Sequence, residues 1–227
     1  LIVCSRAAIV VGRDGGGFDY PSIDGGRCGE CGLCTKVCPV LHYEETADYR
    51  KEYNDVQKAV AAKTNREEWR QISSSGGIFP VVANYILEQN GMVVGAAFDG
   101  CFDVHHIIID NKNDLFKVQA SKYAQSRIGN IYKEIKKYLA DGKLVLFAGM
   151  ACQVEGLKSF LRKEYSNLYT IDLICMGIPS PGVWRSYLDT TFHGEKIKFV
   201  NFKDKTYGWR TFSLCVETDQ RSFLQKG

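Results

Sequence analysis

No stretch of this sequence carries the ~18 consecutive apolar residues that a membrane-crossing helix requires, and no leader pattern of charge followed by an apolar core is visible in it. Charge of one sign is also scarce. The formal net charge is +3 and no basic stripe stands out, which argues against nucleic acid as a partner. Internal repeats are missing. What remains is the balance of a globular protein, 45% hydrophobic and 24% charged, with 227 residues for one ordinary domain and a small one. Together these features predict a cytoplasmic protein without a membrane span. The sequence opens on Leu1 rather than Met and stops at Gly227 close to a strand-like stretch, so a fragment cut at both ends is expected.

Cysteine, by contrast, is plentiful. Nine are present, and four fall within eleven residues. A secreted disulfide framework predicts a short chain with an even count, whereas clustered cysteines without an export signal point to metal.

Composition divides the chain into three. Residues 1–43 are rich in Gly and Cys and read as a small ferredoxin-like domain. Residues 44–70 are charged and read as a linker with one short helix or strand. From residue 71 to 227, helical and strand patterns alternate. Ser73, Ser74, Ser75, Gly76 and Gly77 precede an apolar-periodic run, which predicts a serine-capped helix over 78–88. Strands are predicted over 93–98 and 104–110, joined as a hairpin through Asp99, Gly100 and Cys101. Then come a helix over 131–139, a buried strand over 144–148, a helix over 152–161 and a second buried strand over 168–175. A helix over 182–192, opened by Pro181, precedes strands over 197–202 and 211–217. This order predicts an α/β fold, with α+β as the alternative: a mixed sheet covered by helices behind the small module.

The densest chemical signal is Cys28-Gly-Glu-Cys31-Gly-Leu-Cys34-Thr-Lys-Val-Cys38-Pro39. This is C-x2-C-x2-C-x3-C-P, the bacterial run for [4Fe–4S] ligation. Three thiolates must reach three corners of one small cube, so the chain wraps tightly, and Gly29 and Gly32 relieve crowding. In two-cluster ferredoxins the fourth cysteine of the run serves the other cluster. Cys4 is then the expected fourth ligand beside Cys28, Cys31 and Cys34, and Cys38 belongs to a second, incomplete cluster. Ser5 stands where a proline usually follows such a cysteine. The competing assignments are zinc and disulfides, but structural zinc takes two separated ligand pairs rather than this spacing.

Five further motifs occur in order: Ser74-Ser-Gly-Gly77, Val93-Val-Gly-Ala-Ala-Phe98, Ser121-Lys-Tyr-Ala-Gln-Ser126, Gly149-Met-Ala-Cys-Gln153 and Asp172-Leu-Ile-Cys-Met-Gly-Ile-Pro-Ser180. Over nearly the whole chain they resemble the beta-subunit family of coenzyme F(420) hydrogenase/dehydrogenase, many members of which carry a ferredoxin module in front. The sequence departs from that pattern at Met150-Ala151, where the family often has Thr-Pro, and at Met176, where it has His. The resemblance implies FAD as prosthetic group and a small-molecule two-electron acceptor, with the deazaflavin coenzyme of the family name as one candidate. It implies a flavin site drawn from Ser74, Ser75, Gly76, Gly77, Ser121, Lys122, Tyr123 and Gln125. It also implies that Cys152 and Cys175 help hold a third cluster, with a C-x-x-C pair that is not found before Gly227.

The residues themselves leave plainer alternatives open. Gly76 and Gly77 can present helix N–H groups to a phosphate or simply start a helix. Lys122 and Tyr123 can serve a flavin, or be a solvated lysine and a half-buried ring. Cys152 and Cys175 follow strands, where open α/β sheets place ligands, but can equally act as small apolar side chains. Of His105 and His106 only one can point inward. Lys133, Glu134, Lys136 and Lys137 read as the wet face of a helix, and the segment 207–210 as a turn with aromatic packing. Cys101 and Cys215 receive no role. The expected function is an iron–sulfur flavoprotein oxidoreductase that exchanges electrons with a partner such as ferredoxin or hydrogenase-type subunits. The alternatives are an electron-transfer subunit without turnover of its own, and a protein-binding domain with a structural cluster.

Overall fold

The computed structural model describes residues 3–42 and 58–227, so the first half of the expected linker, 44–57, lies outside the described residues. The N-terminal segment opens with a hairpin of β1 (Ile9–Arg13) and β2 (Asp19–Ile23). Its turn is set by Asp14, whose carboxylate accepts from the Gly16 and Phe18 N–H groups at 3.0 and 2.8 Å. One helical turn, α1 (Leu33–Lys36), follows.

The larger unit is built on a four-stranded sheet in the order β4-β3-β5-β6, formed by β3 (Met92–Phe98), β4 (Val104–Ile109), β5 (Val145–Met150) and β6 (Leu168–Leu173). β3 pairs antiparallel with β4 and parallel with β5, and β5 pairs parallel with β6. Side chains alternate across the sheet. Val94, Val145 and Phe147 face α5 (Ile131–Ala140) and α6 (Ala151–Leu161), whose stripes are Ile131, Ile135 and Leu139, and Val154, Leu157 and Leu161. Val93 and Leu146 face the other way, against Ala83, Ile86 and Leu87 of α3 (Ile78–Glu88) and Leu115 and Val118 of α4 (Leu115–Val118). A short α2 (Glu67–Ile72) precedes α3. Each large side chain buried here contributes roughly 1.5–3 kcal/mol, which is why the two stripes hold the sheet between them.

A third cluster joins α7 (Pro181–Thr191) to the antiparallel meander β7 (Ile197–Asp204), β8 (Ser213–Thr218) and β9 (Ser222–Lys226) around Trp184, Leu188, Phe192 and Val216. α7 starts as its sequence requires: Ser180 accepts from the Val183 N–H at 3.1 Å and Pro181 fills the first turn. The architecture is α/β, with helices on both faces of the sheet.

Two expectations need correction. The run over 168–175 is not a buried strand. β6 is the sheet's edge, with Leu173 56% and Ile174 98% exposed. An apolar run reports what a strand can bury against, not whether a neighbour is there. Nor does a serine cap α3. The N-cap is Gly77 at φ 76, a left-handed conformation that suits glycine, and a Cβ there would meet Thr64 Cγ2 at 2.7 Å. The serines are engaged elsewhere: Ser73 Oγ donates to the Trp69 carbonyl at 2.7 Å, and Ser74 accepts from Ser121.

Candidate functional site

The cysteine-rich loops are tied together through backbone. The Asp24 N–H donates to the Ala8 carbonyl at 2.8 Å, and the Cys28 N–H donates to Asp24 at 3.0 Å, so the loop after β2 lies beside the Cys4 turn. Arg6 crosses from that turn and lies over Gly29, where a Cβ would stand 2.8 Å from its guanidinium carbon. Cys4 Sγ accepts from the Ala8 N–H at 3.4 Å and Cys28 Sγ from the Glu30 N–H at 3.5 Å. Backbone N–H groups of Ala8 and Arg6 hold the Cys4 thiol below its ordinary value, which favours thiolate. Cys31 is exposed; Cys34 and Cys38 are half-buried on and just after α1. All nine cysteines are free thiols.

Among the described residues, no three His, Cys, Asp or Glu side chains converge as the ligands of a single ion do. The donor set, thiolates with N–H···S hydrogen bonds, fits cluster ligation.

At the larger domain, two motifs far apart in sequence meet. Ser121 donates to Ser74 Oγ from both its N–H and its hydroxyl, each at 2.8 Å. Beside this contact is the N-terminus of α3, where no side chain caps the first turn; Ile78 and Phe79 carry the N–H groups there, since Pro80 has none. Ser75 is exposed and Gly76 half-buried. Lys122 turns back on its own loop: Nζ donates to the carbonyls of Gln119 at 2.5 Å, Lys117 at 3.0 Å and Ala120 at 3.4 Å. Burial pushes its ammonium down to about 7. Tyr123 meets Phe202 edge-on at 5.5 Å and is 40% exposed. Gln125 lies away from Ser74, with its amide on the β2 backbone: Oε1 accepts from the Asp19 N–H at 2.8 Å.

Cys152 and Cys175, both exposed, follow the carboxyl ends of the adjacent parallel strands β5 and β6. Of the two histidines, His106 points inward. It is 4% exposed, stacks on Phe147 at 5.4 Å, and contacts Ser126 Oγ through Nδ1 at 2.7 Å, while Nε2 has no partner. Burial pushes its pKa down to about 4, so the imidazole is neutral at pH 7. The unfolded chain titrates near 6.5 and binds more protons between the two values. Stability is therefore expected to fall as pH drops from 6.5 towards 4, by about 3 kcal/mol from this group. Urea midpoints across that window should show the decline, and His106→Gln should flatten it; an unchanged slope would put the charge change on other groups.

Two features escaped the sequence reading. Lys205 Nζ on the loop after β7 donates to the carbonyls of Gln71 at 2.6 Å, Arg70 at 3.2 Å and Ser73, and stacks 4.3 Å from Trp209. It anchors the end of α2 and hence the serine–glycine loop; no local signal pairs residues this far apart. A groove of about 480 Å³ lies beside α3, lined by Lys63, Arg66, Trp69, Ile78 and Tyr85 among others. Ser74, Ser121, Lys122 and the cysteines do not line it.

Sheet, flanking helices and a thiol-bearing carboxyl edge define an α/β domain of the kind that receives ligands at its strand ends. Residues 142–224 match the family described as the C terminus of the coenzyme F420 hydrogenase/dehydrogenase beta subunit. A coenzyme F420-dependent sulfite reductase of Methanocaldococcus jannaschii is 27% identical over 212 residues, covering 80% of this chain and 33% of the relative. A chain of the F420-reducing [NiFe] hydrogenase complex from Methanosarcina barkeri superposes with a TM-score of 0.51 at 17% identity, over 72% of this chain and 58% of that one, a likeness of fold. The chain thus spans about a third of the sulfite reductase and little more than half of the hydrogenase chain. Over residues 142–224 the chain therefore resembles the coenzyme F420 hydrogenase/dehydrogenase beta-subunit family, and the sulfite reductase extends that similarity over most of its length. Among the described residues no helix is long and apolar enough to cross a membrane.

Proposed function

We propose that this chain is part of a cytoplasmic iron–sulfur flavoprotein oxidoreductase, with a ferredoxin-like module over 1–43, a linker over 44–70 and an FAD domain over 71–227. The observation that carries this reading is the Ser74–Ser121 contact, which joins two segments 47 residues apart beside an uncapped helix start. Ser74, Ser75, Gly76 and Gly77 hold the FAD phosphates there, and Ser121, Lys122 and Tyr123 form the opposite wall, while Gln125 ties that segment to the hairpin. Lys122, near neutrality in its own titration, fixes that wall through the carbonyls of Lys117, Gln119 and Ala120. Cys4, Cys28, Cys31 and Cys34 ligate one cluster, Cys38 belongs to a second, and Cys152 and Cys175 to a third. The paired cofactors would supply exchange between one-electron and two-electron partners. A small-molecule acceptor, with the coenzyme of the sulfite reductase relative as first candidate, and a ferredoxin or hydrogenase-type partner complete the scheme.

A second reading, an electron-relay subunit without turnover of its own, is favoured by the uncovered apolar end of β6. Ile174 is 98% and Met176 100% exposed, as suits a surface that a partner covers. It predicts reduction of partner proteins but no consumption of a small substrate by the isolated chain.

The test is anaerobic purification of the full-length protein with iron, sulfide and released flavin measured together. All three should be present. Ser121→Ala, which removes one hydroxyl of the serine pair, should weaken flavin retention about fivefold, the worth of about one hydrogen bond. Protein that is iron-replete yet free of flavin would overturn the FAD assignment.

A further inference from the structure

The segment Ser121–Arg127 touches the serine–glycine loop, the hairpin of the cysteine-bearing module and the loop that carries Cys175. At its start Ser121 is bonded to Ser74. At its centre the Gln125 side chain spans to β2, where Oε1 accepts from the Asp19 N–H at 2.8 Å and Nε2 donates to the Asp19 carbonyl at 3.2 Å. One amide thus satisfies both backbone groups of a single hairpin residue, as a strand neighbour would. The Gln125 N–H donates to the Pro179 carbonyl at 3.1 Å, on the loop that carries Cys175. At its end Arg127 is bonded through backbone to the edge of β4, donating to Val104 at 3.1 Å and accepting from His106 at 2.9 Å. Its guanidinium lies 3.0 Å from Asp103 and 4.0 Å from Asp19.

The hairpin has another close seat on the larger domain. The Gly182 N–H donates to the Gly17 carbonyl at 3.2 Å, and a Cβ on Gly17 would stand 2.8 Å from Gly182 Cα. That contact fixes the tip of the hairpin but leaves rotation about it open. Gln125 supplies the second point.

We propose that Gln125 is a positioning residue that locks the cysteine-bearing hairpin module onto the larger domain, so that segment 121–127 sets the separation of the iron–sulfur and flavin sites. The proposal rests on the functional reading above for its cofactors, but not for the joint itself. The amide is suited to the task because it offers donor and acceptor together and carries no charge to attract water into the joint. Carboxylate or hydrocarbon at this position would satisfy only half of Asp19 or none of it.

The experiment compares the full-length wild type with Gln125→Ala and Gln125→Glu by hydrogen exchange and by anaerobic stopped-flow spectroscopy. Protection of the 19–23 amides should fall about tenfold in Gln125→Ala and less in Gln125→Glu, which keeps an acceptor for the Asp19 N–H. Protection in β3 and β5 should not change. Iron and flavin contents and both midpoint potentials should stay at wild-type values, while electron transfer between cluster and flavin slows about tenfold. Unchanged exchange at 19–23 would overturn the proposal, as would equal loss of protection throughout the larger domain. Should the wild-type protein contain no flavin, the functional reading fails, yet the exchange comparison still decides whether Gln125 holds the joint.

Discussion

Replacing Cys31 with alanine is expected to strip most of the iron from the purified full-length protein and leave its flavin in place. Cys31 is exposed and supports nothing but its own thiol, so the substitution removes a ligand without opening a cavity. A cube held by three thiolates loses the fourth metal–sulfur bond and exposes an iron corner to water, and iron retention should drop at least about tenfold. Cys4→Ala should behave in the same way, since the Cys4 turn is bonded to the loop before Cys28 through Ala8 and Asp24. Cys38→Ala should spare this cluster, because the proposed scheme gives Cys38 to another. Cys101→Ala is the control: it too is exposed, and its contact to Asp99 runs through the backbone N–H, which alanine keeps. Elemental analysis with the visible spectrum reads the result. Zinc in place of iron in the wild type, or iron loss equal in all four variants, would remove the basis for an electron carrier.

Local chemistry was legible in the sequence where it is periodic. The helix over 78–88 has the bounds expected from its apolar spacing, and α5 buries Ile131, Ile135 and Leu139 while Lys133, Glu134, Lys136 and Lys137 face water. The strand pair at 93–98 and 104–110 is the hairpin β3–β4, and His106 rather than His105 is the buried histidine. What failed depends on neighbours distant in the chain. The serines before α3 look like caps, yet Ser74 is drawn to Ser121 and the cap passes to Gly77. The run 168–175 looks buried, yet β6 has a partner on one side only. The hairpin β1–β2 went unread because its signal, Asp14 followed by three glycines, was submerged in a glycine-rich segment. The contact of the Gln125 side chain with a backbone 106 residues earlier likewise has no local signal, because the motif it shares with Lys122 says nothing of the hairpin.

Asp103 is expected to be the costliest single polar position in the fold. It is 7% exposed, and its carboxylate meets Arg185 through two contacts, one at 2.7 Å from Nε, and Arg127 at 3.0 Å. Hydrogen bonding to Asp103 is also what raises the Arg185 guanidinium above its ordinary value. Arg185 lies on α7, one residue after Trp184, whose indole N–H donates to the Phe102 carbonyl at 2.8 Å. The carboxylate therefore fastens α7 to the β3–β4 turn and steadies Arg127, the residue that faces the hairpin. Asp103→Ala removes the shared acceptor of two guanidinium groups, and a buried pair broken from one side costs about 3 kcal/mol. Both arginines are part-exposed, at 31% and 47%, and recover some hydration, so the loss should lie below that of a fully enclosed pair. Denaturant midpoints measure it, and the effect should persist in about 1 M salt because the carboxylate itself is shielded from ions. In a cycle with Arg185→Met, the second substitution should add little once Asp103 is gone. A loss under about 1 kcal/mol, the upper end for exposed pairs, or full additivity in the cycle, would reduce the network to surface ion pairs and leave Gly17–Gly182 and Gln125 as what holds the hairpin to the domain.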